Sequence, residues 1–205
     1  MNFVLSSRAR ALAAGVSAFA SAVLLAGSAH ASSQYSFDMV RSNGLLAGCA
    51  PRAWAKVDVK SLGFAELMRV TVGGLPAGTT VVLFAIQQPN FPFGLGWYVA
   101  DLTIGGNGSV TKTVIGRFNI ESFALGSGEA AAPVTHPGDD ADKNPAFKPV
   151  HTYHLGMWFD SVDDARRAGH DCPTFVTPFN GDHTAGVQVL STRNFKKLGP
   201  LSKID

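Results

Sequence analysis

An all-β fold, an antiparallel sandwich of short strands, follows from three features of this 205-residue sequence. Between Trp54 and Leu125 the apolar residues recur mostly at every second position, as along a strand with one buried face. Glycine-rich breaks interrupt that pattern at short intervals. Helical periodicity is confined to a single short stretch. The immunoglobulin-like arrangement is the leading expectation, with a jelly roll or a small barrel as the alternatives.

Taken in chain order, Met68-Arg69-Val70-Thr71-Val72 alternates, and Gly73 to Gly78 turns. Thr79 to Ile86 is a β-branched apolar run, and Trp97 to Ile104 reads as a further strand. Gly105-Gly106-Asn107-Gly108 predicts a hairpin, because positive φ is cheap for glycine and tolerated by asparagine. Ser109 to Phe118 alternates again, with Val110, Lys112 and Val114 on one parity and threonines on the other. His151 to Phe159 and Gly186 to Thr192 supply the last strands. Ser161 to Ala168 is the one short helix: Ser161 caps it, Asp163 and Asp164 occupy its first turn, and Gly169 stops it.

The first 31 residues form a secretory leader. Arg8 and Arg10 precede an apolar stretch from Ala11 to Gly27, and Ala29-His30-Ala31 gives the small-x-small pattern of a cleavage site after Ala31. A retained membrane anchor is the competing reading, but the apolar run is short and rich in small residues. The whole chain carries 17 basic and 15 acidic side chains. Two of the arginines and none of the acids lie in the leader, so residues 32–205, read as one domain, are neutral. A neutral chain without basic runs argues against nucleic acid or an anionic membrane surface as partner, and no further stretch is apolar enough to span a bilayer. The expected location is the periplasm or the cell exterior. There two cysteines, Cys49 and Cys172, are most simply one disulfide.

Gly126 to Val150 breaks the regular spacing, with four prolines in 25 residues. Loops of that length inside a domain tend to carry function. This one contains His136, Asp140, Asp142 and Asn144. The Asp140, Asp142, Asn144 spacing matches the start of a calcium loop, but Pro145 and His151 stand where such a loop needs glycine and glutamate. The bland reading is a solvated polar turn. Zinc is the other candidate, held by some of His136, His151, His154 and His183 with Asp140 or Asp182. Along one extended strand His151 and His154 face opposite ways, which disfavours a shared metal. Each histidine is otherwise an ordinary surface or core residue. No cofactor is expected beyond these two possibilities.

Aromatic side chains are densest around Phe91, Phe93, Trp97 and Tyr98. Pro92 keeps Phe91 to Gly94 out of a central strand, so the segment is a loop or an edge. It serves either as a lid on the core or as an apolar patch for a ligand. The lid is the favoured reading, because a neutral domain of this size needs its aromatics inside. No nucleophile elbow, phosphate loop or carboxylate pair is indicated.

The segments Gln88 to Tyr98, His151 to Phe159 and Thr177 to His183 resemble segments of uncharacterised secreted bacterial proteins. That resemblance implies an exported bacterial origin and no activity. The leading functional expectation is an exported, non-catalytic binding or structural module for an extracytoplasmic ligand or protein. A metal-dependent hydrolase and a calcium-stabilised binding module are the alternatives.

Overall fold

A computed structural model describes residues 33–120, 122–124, 150–195 and 198–204. The segment expected to be a leader, Ala31 included, and nearly all of the Gly126 to Val150 segment lie outside those residues, and with them His136, Asp140, Asp142 and Asn144. The elements are β1 (Gln34–Arg41), β2 (Trp54–Ser61), β3 (Glu66–Gly73), β4 (Thr80–Ile86), β5 (Gly96–Thr103), β6 (Ser109–Gly116), β7 (Phe123–Ala124), β8 (Val150–His151), β9 (His154–Phe159), α1 (Val162–Ala168) and β10 (Gln188–Ser191). Eight of the strands form one antiparallel sheet in the order β5-β4-β9-β10-β1-β2-β3-β6, and β7 pairs with β8 apart from it.

The all-β class holds, and the barrel alternative describes the arrangement better than an immunoglobulin sandwich. The reason lies in β1. Its residues from Gln34 to Met39 pair with β2, while Val40 and Arg41 pair with Ser191 and Leu190 of β10. One strand therefore joins two four-stranded halves into a continuous sheet. The end strands, β5 and β6, approach across the remaining gap, where the Lys112 ammonium donates to the Asp101 carbonyl at 3.0 Å.

That closure corrects the expected hairpin. The Gly105 to Gly108 turn forms, with Gly108 N–H on Gly105 O and Gly105 N–H on Ser109 O. Beyond it the strands part, β5 pairing with β4 and β6 with β3. Turn chemistry fixes the reversal of the chain, but not which edge the departing strand finds.

Alternation places the main core between the halves. Phe37 and Met39 point inward from β1, Ala55, Val57 and Val59 from β2, and Met68, Val70 and Val72 from β3. Leu155, Met157 and Phe159 of β9 meet them from the other half. Strand β9 is buried on both faces, because the segment through Phe179 and Ala185 covers its outside. There Ile86, Trp158 and Ala185 form a second, smaller core with Phe84, Phe93 and Phe179 against it. Trp158 and Phe179 stack with centroids 3.9 Å apart and rings 7° from parallel.

Two features fix the connections between strands. Cys49 and Cys172 form the expected disulfide, sulfurs 2.04 Å apart, linking the β1–β2 connection to the segment after α1. Helix α1 has the predicted cap: the Ser161 hydroxyl accepts from Asp164 N–H, and Gly169 ends it. A Cβ on Gly169 would lie 2.2 Å from Gly48 O, so the residue that stops the helix also admits the disulfide-bearing loop. Elsewhere Glu66, fully buried, accepts from Phe118 N–H at 2.7 Å and from the Asn119 amide at 3.0 Å. Burial raises the pKa of that carboxyl, and these donors and Arg117 pull it back. No helix of the described residues is long and apolar enough to cross a membrane.

Candidate functional site

The outer face of β4 and β5 meets the turn Pro178 to His183 in a cleft of about 680 Å³. Phe84 and Tyr98 supply its aromatic wall, and Tyr98 stands edge-on to Phe84 at 6.1 Å with half its surface exposed. Asp101 follows on β5, Asp160 comes directly after β9, and Asp182 comes from the turn. Among the described residues no lysine or arginine lines the cleft, and His183 is its only potential cation.

The turn is held by Asn180. Its amide nitrogen donates to Asp160 O at 2.7 Å and to Thr184 Oγ1 at 3.1 Å, while its carbonyl accepts from Thr184 N–H at 2.8 Å. His183 N–H returns to Asn180 O, and His183 adopts φ +56, a left-handed conformation uncommon outside glycine. Phe179, one residue earlier, anchors the turn by its stack on Trp158. The second core thus positions the cleft. Side chains with nothing apolar of their own to bury, Asp182 and His183, are carried outward by it.

Electrostatics inside the cleft follow from crowding. Partial burial raises the Asp160 pKa first, and the neighbouring charges of Asp101, Asp164 and Asp182 raise it further, against the opposing hydrogen bond from Asn180. Burial and then Asp101 raise the Tyr98 phenol. Negative charge is gathered here, with the Lys112 ammonium beside it on the Asp101 carbonyl at 3.0 Å, and such crowding of carboxyls marks a functional-site candidate when it lies in a cleft.

The residues named from sequence divide among several places. Tyr98, Asp182 and His183 come together in this cleft. Phe91 is 85% exposed at a loop tip and touches Phe93 edge-on at 6.0 Å. Phe93 does act as a lid, but on the second core, against Trp158 and Phe179. Trp97 turns inward: it stacks on Phe118 at 5.6 Å and donates from Nε1 to Thr152 Oγ1 at 3.1 Å.

His151 and His154 correct the opposite-face expectation. The chain breaks between β8 and β9 at Thr152 and Tyr153, so the parity of one strand does not apply, and both histidines line a separate cleft of about 440 Å³. His151 stacks on Tyr153 at 4.5 Å. His154 is buried, with Nδ1 2.9 Å from Thr192 Oγ1, and burial lowers its pKa to about 4. Asp182 and His183 lie in the other cleft, apart from this pair. Among the described residues no group of three or more His, Cys, Asp or Glu is placed to hold a metal ion.

Sequence reasoning missed Phe84, Asp101, Asp160 and Asn180. A usable signal existed for Asn180, since Asn-Gly-Asp is a turn sequence whose asparagine often bonds its own backbone neighbours. Asp101 and Asp160 are isolated carboxylates at strand ends, brought together only by the pairing of β4 with both β5 and β9. No protein-family model, curated protein or solved structure matches the chain.

Proposed function

We propose that this chain is an exported binding module without catalytic machinery, and that its acidic cleft receives a positively charged group of its ligand. One observation carries the reading: Phe84 and Tyr98 line one cleft together with Asp101, Asp160 and Asp182, and no lysine or arginine is among its described lining residues. An ammonium or guanidinium there meets aromatic faces and carboxylates together, the combination that recognises organic cations. Export is supported by the leader pattern of residues 1–31 and by a disulfide, which persists in oxidising compartments.

Calorimetric titration of residues 32–205 with tetramethylammonium, arginine amide and an uncharged glycerol control tests it. The cations bind and glycerol does not. Tyr98→Ala weakens the cations by about fivefold, the scale of one cation–aromatic contact. Asp160→Asn weakens them too, and added salt weakens them in the wild type. Cation affinity also falls as pH drops through the raised Asp160 pKa, because protonation removes the charge that attracts the ligand. Cations that do not bind, or that bind equally to both variants, contradict the reading.

A further inference from the structure

On the other half of the sheet, away from the acidic cleft, Trp54 is the first residue of β2 and lies opposite Gly73, the last of β3. Gly73 in turn pairs with Ser109 of β6. Glycine inside a strand loses entropy and packs nothing, so its presence there needs a reason. Its backbone is not in the left-handed region, which leaves space as the reason. A Cβ at Gly73 would lie 2.6 Å from Trp54 Cζ2, 2.7 Å from Cε2 and 2.9 Å from Nε1. The glycine is a seat for the indole. Seated there, Trp54 is still 46% exposed, whereas Trp158 is fully buried and Trp97 partly so.

The bare side of that ring borders a cleft of about 840 Å³, within the range of small-molecule sites. Polar groups surround it. Arg52 is exposed, the only charged residue of the lining, and makes no hydrogen bond or ion pair among the described residues. Asn107 accepts Ser109 N–H through Oδ1 at 3.1 Å, so its position is fixed while its amide hydrogens stay available. The floor is backbone held by Gly74 N–H on Gly108 O at 3.2 Å. The site therefore consists of an aromatic platform on a fixed support, one unpaired guanidinium and a rim of neutral polar groups.

We infer that this cleft binds an acidic saccharide, a pyranose ring lying on Trp54 with its carboxylate on Arg52. The apolar C–H face of a pyranose matches an exposed indole, and its hydroxyls match Asn107 and Ser109. A planar guanidinium pairs with a carboxylate through two parallel hydrogen bonds, a geometry that lysine cannot supply. The lone positive charge of the lining selects an acidic sugar over a neutral one. None of these residues belongs to the acidic cleft, so the inference is independent of the cation reading.

The test is a titration of residues 32–205 with trigalacturonate, and with maltotriose as the neutral control, read by indole fluorescence and by calorimetry. Trigalacturonate changes the emission of the exposed Trp54 and binds about tenfold tighter than maltotriose, the scale of one charge-assisted pair. Arg52→Gln, an exposed position, keeps the melting temperature and removes that preference. Trp54→Phe keeps a ring over Gly73 and loses affinity for both saccharides. Absence of any response to trigalacturonate, equal affinity for the two sugars, or an Arg52→Gln variant that still prefers trigalacturonate overturns the inference.

Discussion

His154 couples the stability of this protein to pH in a defined direction. It sits among buried neighbours with Nδ1 against Thr192 Oγ1, and burial holds its pKa at about 4. In the unfolded chain the same ring titrates near its ordinary 6.5. Between those values the unfolded state binds a proton that the folded state refuses. Stability is therefore lost as pH falls from about 6.5 toward about 4, by on the order of 3 kcal/mol in full. Glu66 and Asp160, whose pKa values are raised, act the opposite way, since protonation relieves their burial. Comparing denaturant unfolding of wild type and His154→Gln at several pH values isolates the histidine. The variant lacks the loss between pH 6.5 and 4 that the wild type retains after the carboxyl contributions cancel in the difference.

At the scale of elements, the outer core links stability to the cleft. Phe179 stacks on Trp158 and meets Phe84 and Phe93 edge-on, at 5.3 Å in each case, yet it does not line the cleft. Phe179→Ala removes the anchor of the turn that carries Asn180, Asp182 and His183. The expected cost is about 2–3 kcal/mol, below that of a fully buried phenylalanine because Phe179 is only partly covered. Thermal unfolding measures it, and cation affinity falls in the same variant although no lining residue has changed.

The strands and the helix were largely legible, because Met68, Val70 and Val72 alternate with exposed or half-exposed neighbours, and Ser161 and Gly169 carry cap chemistry. Strand β1 was not anticipated, although Phe37 and Met39 alternate there with Ser36 and Asp38. The break between β8 and β9 was not legible. Every residue from Thr152 to Phe159 is buried, so no parity marks where pairing changes. The expected hairpin at Gly105 failed for a related reason, since local turn propensity carries no information on long-range pairing.

For the whole molecule, closure of the sheet and the Cys49–Cys172 bridge decide how the chain holds together. The bridge spans 123 residues and joins the first connection of the sheet to the segment after the only α-helix of the described residues. In the chain-entropy description a loop of that length stabilises by up to about 5 kcal/mol, and measured effects are commonly smaller. The Cys49→Ser, Cys172→Ser double variant unfolds at a lower temperature than the oxidised wild type, and a reductant lowers the wild type alone. Sequence pointed to the pairing because the cysteines are only two. It could not show the acidic cleft, which needs β4 seated between β5 and β9 before Tyr98, Asp101 and Asp160 share one surface.

Residue-resolved chemical-shift mapping of the ¹⁵N-labelled chain during a tetramethylammonium titration tests the central claim most directly. Saturable shifts concentrated at Tyr98, Asp101, Asp160 and the Asn180 to His183 turn are the predicted result. Shifts that never saturate, or that gather on another face while this cleft stays silent, would contradict it.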